Sequence, residues 1–267
     1  MSDTLLSVDK LEVVYQRAIT AVQGITLSVE SGQIVALLGT NGAGKTTTLR
    51  AISGFLGLDD ARVTEGTILF KGERIENHLP HENTRRGITL VPERDKVFPN
   101  LTVAENLIAP TPRGIGHAER RRREALVYQF FPRLADLRSR IGGLLSGGER
   151  QMLALGSAIV CRPELLLVDE LSLGLAPVVV EDLLRRLVEI RRELSITILI
   201  VEQSATVALE IADYGYVVEN GRVVLDGSAE RLRGHPDIQE FYLGSRSGER
   251  RSYRDVKQYR RSRRWYG

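Results

Sequence analysis

The sequence predicts an α/β fold: a mainly parallel sheet, antiparallel strands ahead of it and a helical insertion near the middle. Three observations predict it. Runs at 34–38, 88–91, 165–168 and 196–201, apolar but for Thr89 and Thr197, have the length of buried strands, and helix-length stretches alternate with them. A Gly-rich segment links the first of these runs to a helix. Between about 97 and 157 the alternation gives way to helical stretches broken by proline and glycine.

Taken in order, residues 11–15 and 24–29 alternate or cluster as strands, and 34–38 is continuously apolar. Residues 47–52 read as a helix. Residues 66–70 form a further strand ended by a Lys71-Gly72 turn, and Pro92 stops the strand at 88–91. Thr102 and Glu105 have capping-box spacing and predict a helix start, which Pro110, Pro112, Gly114 and Gly116 then break. Residues 120–134 read as one helix whose four consecutive arginines form a solvated face. Strand 165–168, helix 179–194, strand 196–201 and helix 207–212 follow. Asn220-Gly221 predicts the two-residue turn of a hairpin over 216–224. No internal repeat is evident.

At 267 residues the chain can bury a substantial core. Its 27% charged and 42% hydrophobic residues are ordinary for a globular protein. No apolar run approaches the roughly 18 residues that cross a bilayer, and the first residues lack the pattern of a secretory signal. A single cysteine, Cys161, excludes an internal disulfide and suits a reducing compartment; its apolar surroundings predict a packed thiol. His78 and His81 are expected on a loop surface. Residues 245–267 hold nine Arg/Lys against two acids, a +7 segment in a chain of net charge +3, so residues 1–244 carry −4. The expected organisation is therefore a domain over 1–244, with a helical subdomain inserted at about 97–157, and a flexible basic tail over 245–267.

The segment Gly39-Thr40-Asn41-Gly42-Ala43-Gly44-Lys45-Thr46 is a complete phosphate-binding loop in its required context, between a buried strand and a helix. Its glycines let consecutive N–H groups turn inward, and the helix start adds unpaired N–H groups and a positive dipole end. Lys45 can reach β and γ phosphates, and the Thr46 hydroxyl can ligate Mg²⁺. A plain Gly-rich turn leaves Lys45 and Thr46 unexplained. The chain is expected to bind a nucleoside triphosphate, with Thr47 among the contacts.

Two further segments complete a candidate catalytic set. The apolar strand at 165–168 ends in Asp169-Glu170. Asp169 is placed to hold Mg²⁺ directly or through water, and Glu170 to polarise an attacking water. Apolar runs ending in acids are common; the pairing with a phosphate loop about 130 residues upstream gives this one its meaning. Leu145-Ser146-Gly147-Gly148-Glu149-Arg150-Gln151 has the Ser-x-x-Glu capping spacing and two glycines that expose backbone, which makes a second anion-binding helix start. An ordinary well-capped helix is the alternative there.

That segment, lying between a phosphate loop and an Asp-Glu strand end, resembles the signature motif of ABC transporter ATPases, and the likeness covers residues 5–243. The resemblance implies a RecA-like P-loop NTPase core with an antiparallel β subdomain and a helical signature subdomain. It implies ATP and Mg²⁺ as cofactors and two ATPase domains packed head to tail. Ser146 and Gly148 of one copy, with Gly147 and Glu149, would then face the γ-phosphate held by Lys45 of the other. Tyr15 stands where the family places an aromatic on adenine; a buried core tyrosine is the alternative. Residues 172–176 occupy the place of a dimer-contacting loop.

Departures narrow the resemblance. Glu93 stands where the family usually has glutamine, and Gln203 where it usually has a switch histidine. Both, together with residues 97–107 and 172–177, resemble the second ATPase of branched-chain amino acid importers. Leu171 replaces a usual proline and is expected to relax the turn beside Glu170. Gln203 can hydrogen-bond a γ-phosphate or water but takes no proton near neutral pH. Glu93 can ligate or orient water at Mg²⁺ while adding negative charge. A non-hydrolysing domain stays open on this evidence, against intact Lys45, Thr46, Asp169, Glu170 and Ser146. The implied partners are transmembrane permease subunits, a second ATPase subunit and an extracytoplasmic solute-binding protein, at the cytoplasmic membrane face. The competing class is an ATPase of nucleic acid or ribosomes anchored by the basic tail, whose aromatics suit stacked bases. The tail equally suits a solvated extension or the anionic membrane face.

Overall fold

The computed structural model describes residues 4–94, 96–112, 114–236 and 238; the basic segment 245–267 lies outside them. A four-stranded antiparallel sheet is built from β1 (Thr4–Tyr15), β2 (Ile19–Glu30), β4 (Ala61–Phe70) and β5 (Glu73–Arg74), in the order β2-β1-β4-β5. A six-stranded sheet combines β3 (Ile34–Leu38), β6 (Ile88–Val91), β7 (Leu165–Asp169), β8 (Thr197–Glu202), β9 (Tyr214–Glu219) and β10 (Arg222–Ser228) in the order β10-β9-β3-β8-β7-β6. It is parallel except for β10.

The central strand shows why the short apolar runs are strands. Ile34, Ala36 and Leu38 belong to one core and Val35 and Leu37 to the other. Alternate side chains point to opposite faces, so a strand covered on both faces must be apolar throughout. On one side α1 (Lys45–Ser53) packs Leu49 and Ile52 between this sheet and the antiparallel one. On the other lie α6 (Gly147–Ile159), α7 (Pro177–Leu194) and α8 (Ala205–Ile211). Each fully buried Leu or Ile contributes about 1.5–3 kcal/mol.

The remaining elements are α2 (Pro80–Arg85), α3 (Val103–Ile108), α4 (His117–Phe130), α5 (Pro132–Asp136) and α9 (Ala229–Arg233). Helices α3 to α6 fall between β6 and β7 in the chain. The expected Thr102–Glu105 capping box is present: Thr102 Oγ1 accepts from Glu105 N–H, and Glu105 accepts from Thr102 N–H.

The structure corrects several expectations. Residues 120–134 are two helices, because Phe131 precedes Pro132 and takes φ −127°, ψ 72°, outside the α region. Pro132 then starts α5 at a first-turn position where no N–H is needed. The four arginines are not one solvated face: Arg123 is half-buried, bonds Glu119 and donates to the Val160 carbonyl. His81 sits on α2 rather than a loop, and His78 is half-buried. β1, β2 and β4 run longer than their sequence patterns suggest. A register shift at Val8/Leu11, with Lys10 at φ 48°, breaks the alternation that marks a strand. Cys161 is half-buried against the larger core and donates to the Pro110 carbonyl; burial raises its pKa, keeping it a thiol.

Candidate nucleotide site

The phosphate loop leaves β3 at Leu38, and its shape is set by what lies against it. A Cβ on Gly39 would stand 2.5 Å from the Val218 carbonyl oxygen, so only glycine lets the chain pass β9. Gly44 has φ 100° and caps α1 without a side-chain hydrogen bond, and no acid occupies the helix's first turn. The first N–H groups of α1 are thus not taken up by a side-chain cap, at its positive end. The hairpin turn predicted at Asn220-Gly221 forms, with φ 48° and 72°, and it also braces the loop. Gly221 N–H donates to the Ala43 carbonyl (2.9 Å), and Gln23 N–H donates to Gly221 (2.8 Å).

Strand ends bring the distant residues here. β7 and β8 flank each other, and β8 lies beside β3 with Glu202 opposite Leu38. Asp169 at the end of β7 and Gln203 just after β8 therefore emerge at the same sheet edge as the loop. Thr46 Oγ1 donates to Asp169 Oδ1 (3.1 Å). Lys45, 4% exposed, donates from Nζ to the Thr40 carbonyl (3.2 Å) and lies 3.6 Å from Glu170 Oε1. Burial pushes the Asp169 carboxyl up to about 6; the like charges of Glu170 and Glu93 add to the rise, while Thr46 and Lys45 oppose it. Glu170 adopts φ 45°, a left-handed conformation uncommon for a non-glycine residue, and its N–H closes the ladder onto the Val201 carbonyl (2.9 Å). Leu171 is fully buried in the core.

The other expected residues divide. The Tyr15 hydroxyl shares a hydrogen bond with Thr47 Oγ1 (3.2 Å), which places the tyrosine at the start of α1. Glu93 is half-buried, ion-paired to Arg94 and felt electrostatically by Asp169. Gln203 is half-buried. Ser146, Gly147, Gly148 and Glu149 form a capped start of α6, with Ser146 accepting from Glu149 N–H and Glu149 accepting from Ser146 N–H (2.9 Å). Among the described residues no hydrogen bond or ion pair ties this start to the phosphate loop; Ser146 and Gly147 are exposed. Gly148 has a packing reason as well, since a Cβ there would meet Val179 at 2.8 Å.

Sequence reasoning missed two groups. Glu202, 2% exposed, accepts from the backbone N–H (2.9 Å) and hydroxyl (2.7 Å) of Ser172. Burial pushes its carboxyl up against the pull of those bonds. Lys96 donates to Gln151 Oε1 on α6, and burial lowers its pKa while Glu93 and Asp169 pull it back. Both links join residues far apart in the chain, and only the charge of Glu202 at the end of an apolar strand hints at one of them.

A phosphate loop at the end of a central parallel strand, facing an acidic strand end, defines a P-loop nucleotide-binding protein. Within that class the chain belongs to the ABC transporter family, whose model matches residues 22–172, and it is an ATPase. It is 38% identical to the high-affinity branched-chain amino acid transport ATP-binding protein BraG of Pseudomonas aeruginosa, over 90% of this chain and 100% of that protein. It is 30% identical to BraF, named for the same transport in that organism, over 91% of this chain and 99% of the relative. The fold superposes with a TM-score of 0.77 and 26% identity on an ATP-binding cassette of an ABC transporter solved in its ADP conformation, covering 91% and 99% of the two chains. Among the described residues no helix is long and apolar enough to cross a membrane.

Proposed function

We propose that this chain is the ATP-hydrolysing subunit of an importer for branched-chain or related hydrophobic amino acids, acting at the cytoplasmic membrane face. The observation that carries the nucleotide chemistry is the meeting of Thr46 with Asp169 and of Lys45 with Glu170 around one loop. The likeness to BraG and BraF, both named for branched-chain amino acid transport, supports the cargo.

In this reading residues 39–47 cradle the phosphates, Lys45 exchanges its Glu170 contact for β and γ oxygens, and Tyr15 stacks on adenine. Thr46 and Asp169 would hold Mg²⁺, with Glu93 as a further oxygen donor. A hydroxyl, a carboxylate, waters and substrate phosphates are the oxygen ligands such an ion takes. Bound there, Mg²⁺ would neutralise charge building on the phosphates. Glu170 takes the proton of the attacking water, and Gln203 orients it by hydrogen bonding. The exposed start of α6, residues 146–149, completes the site of a second copy or a related ATPase subunit. Permease subunits receive the motion, and a solute-binding protein delivers the cargo.

The test is reconstitution with permease subunits and a solute-binding protein of the branched-chain amino acid type. ATP-dependent uptake of leucine or a related amino acid supports the reading. Hydrolysis that no amino acid stimulates contradicts the cargo; absence of hydrolysis contradicts the chemistry.

A further inference from the structure

The ladder between β7 and β8 ends at Asp169. Asp169 pairs with Val201, Glu170 N–H closes on the Val201 carbonyl, and the chain then turns away through the left-handed Glu170. Ser172 is left with a backbone N–H and a hydroxyl at the point where strand pairing ends. Both are taken by one side chain, the carboxylate of Glu202. The adjacent residue in β8's continuation is Gln203, and Ser172 opens the loop 172–176.

This is a costly place for a carboxylate. Glu202 is 2% exposed, at the end of a strand whose other residues are Thr197 and four aliphatics, and the negative charge of Glu170 lies close enough to disfavour its ionised form. A buried charge repays its desolvation only through good hydrogen bonds, and here those bonds go to Ser172. What an apolar residue cannot supply is a two-point tie between the segment before Gln203 and the loop after Glu170.

We propose that Glu202 is a positioning residue that holds Gln203 and the 172–176 loop as one unit, so that Glu170, between them, keeps its catalytic geometry. The inference rests on the roles given above to Glu170, Gln203 and that loop. A displacement of about 1 Å at a reacting group can cost about 100-fold in rate, so the tie acts on turnover rather than on nucleotide affinity. The phosphate loop itself makes no hydrogen bond to Glu202 among the described residues.

The experiment uses the full chain and compares wild type, Glu202→Val, Glu202→Gln and Ser172→Ala. Phosphate release gives kcat, and a fluorescent ATP analogue gives Kd. Glu202→Val is expected to lower kcat at least about 10-fold with Kd within about twofold. Glu202→Gln can accept from the Ser172 N–H and donate to its hydroxyl, so it should recover at least half of that loss. Ser172→Ala, which removes the hydroxyl bond and keeps the backbone N–H donors, should fall on the same side as Glu202→Val with Kd unchanged. If Glu202→Val does not fold, Ser172→Ala decides, by the same split. Full kcat in Glu202→Val or Ser172→Ala, equal losses in kcat and affinity, or Glu202→Gln as impaired as Glu202→Val would overturn the tie. A wild type that binds the analogue but releases no phosphate would instead overturn the hydrolytic reading, and the tie with it.

Discussion

Thr46 Oγ1 donates to Asp169 Oδ1 at 3.1 Å, joining residues 123 positions apart in the chain. One is a hydroxyl in the first turn of α1, the other a carboxylate that burial pushes up to about 6. A pair of hard oxygens held together beside a phosphate loop suits a divalent cation that keeps most of its water.

Thr46→Ala removes one of those oxygens and leaves Asp169 without its hydrogen bond. ATP hydrolysis at limiting Mg²⁺ should fall about 10- to 100-fold, with Thr46→Ser recovering most of it. A Mg²⁺ titration of phosphate release checks this. Superimposable curves for wild type and Thr46→Ala would remove Thr46 from the metal site.

The start of α6 carries a pH signature. The Ser146 backbone N–H, and then the Ser146 and Arg133 side chains, hold the Glu149 carboxyl below its ordinary value near 4.5, against a smaller rise from burial. The folded state therefore binds this proton less readily than the unfolded chain. Its stabilising share is complete above about 4.5 and is lost as pH falls through the lowered folded value. Thermal unfolding between pH 6 and about 3 should show a shallower acid loss in Glu149→Gln than in wild type. Parallel curves would mean that the capping carboxylate is not coupled to folding.

Leu171→Ala should be expensive for a residue beside the catalytic loop. The leucine is fully buried among core residues, so truncation should cost about 2–5 kcal/mol, read as a shift in the urea midpoint. Phosphate release per folded molecule should fall too, because Leu171 directly follows Glu170 in the chain. A change below about 1 kcal/mol would show that the pocket collapses without strain.

The parts of the fold legible in the sequence were those with local causes. Apolar runs, interrupted only by Thr89 and Thr197, marked β3, β6, β7 and β8, Asn220-Gly221 marked its turn, and Thr102 with Glu105 marked the start of α3. Pro132 was misjudged because its effect falls on the residue before it, Phe131, inside an otherwise helical pattern. The phosphate loop was legible for the same local reason: its glycines, Lys45 and Thr46 are consecutive. The brace from Gly221 to Ala43 and the tie from Glu202 to Ser172 were not, because each depends on sheet order. Strand neighbours β9-β3-β8-β7 reverse and skip the chain order, and no pattern within one segment encodes that.

The central claim is that Glu170, 3.6 Å from Lys45, is the base of a site shared between two ATPase domains. Glu170→Gln keeps the shape and removes the basicity. Turnover should drop at least about 100-fold, the affinity for ATP should be retained, and an ATP-dependent dimer should accumulate on size-exclusion chromatography. Wild-type turnover, or a variant that stays monomeric with saturating ATP, would contradict the account.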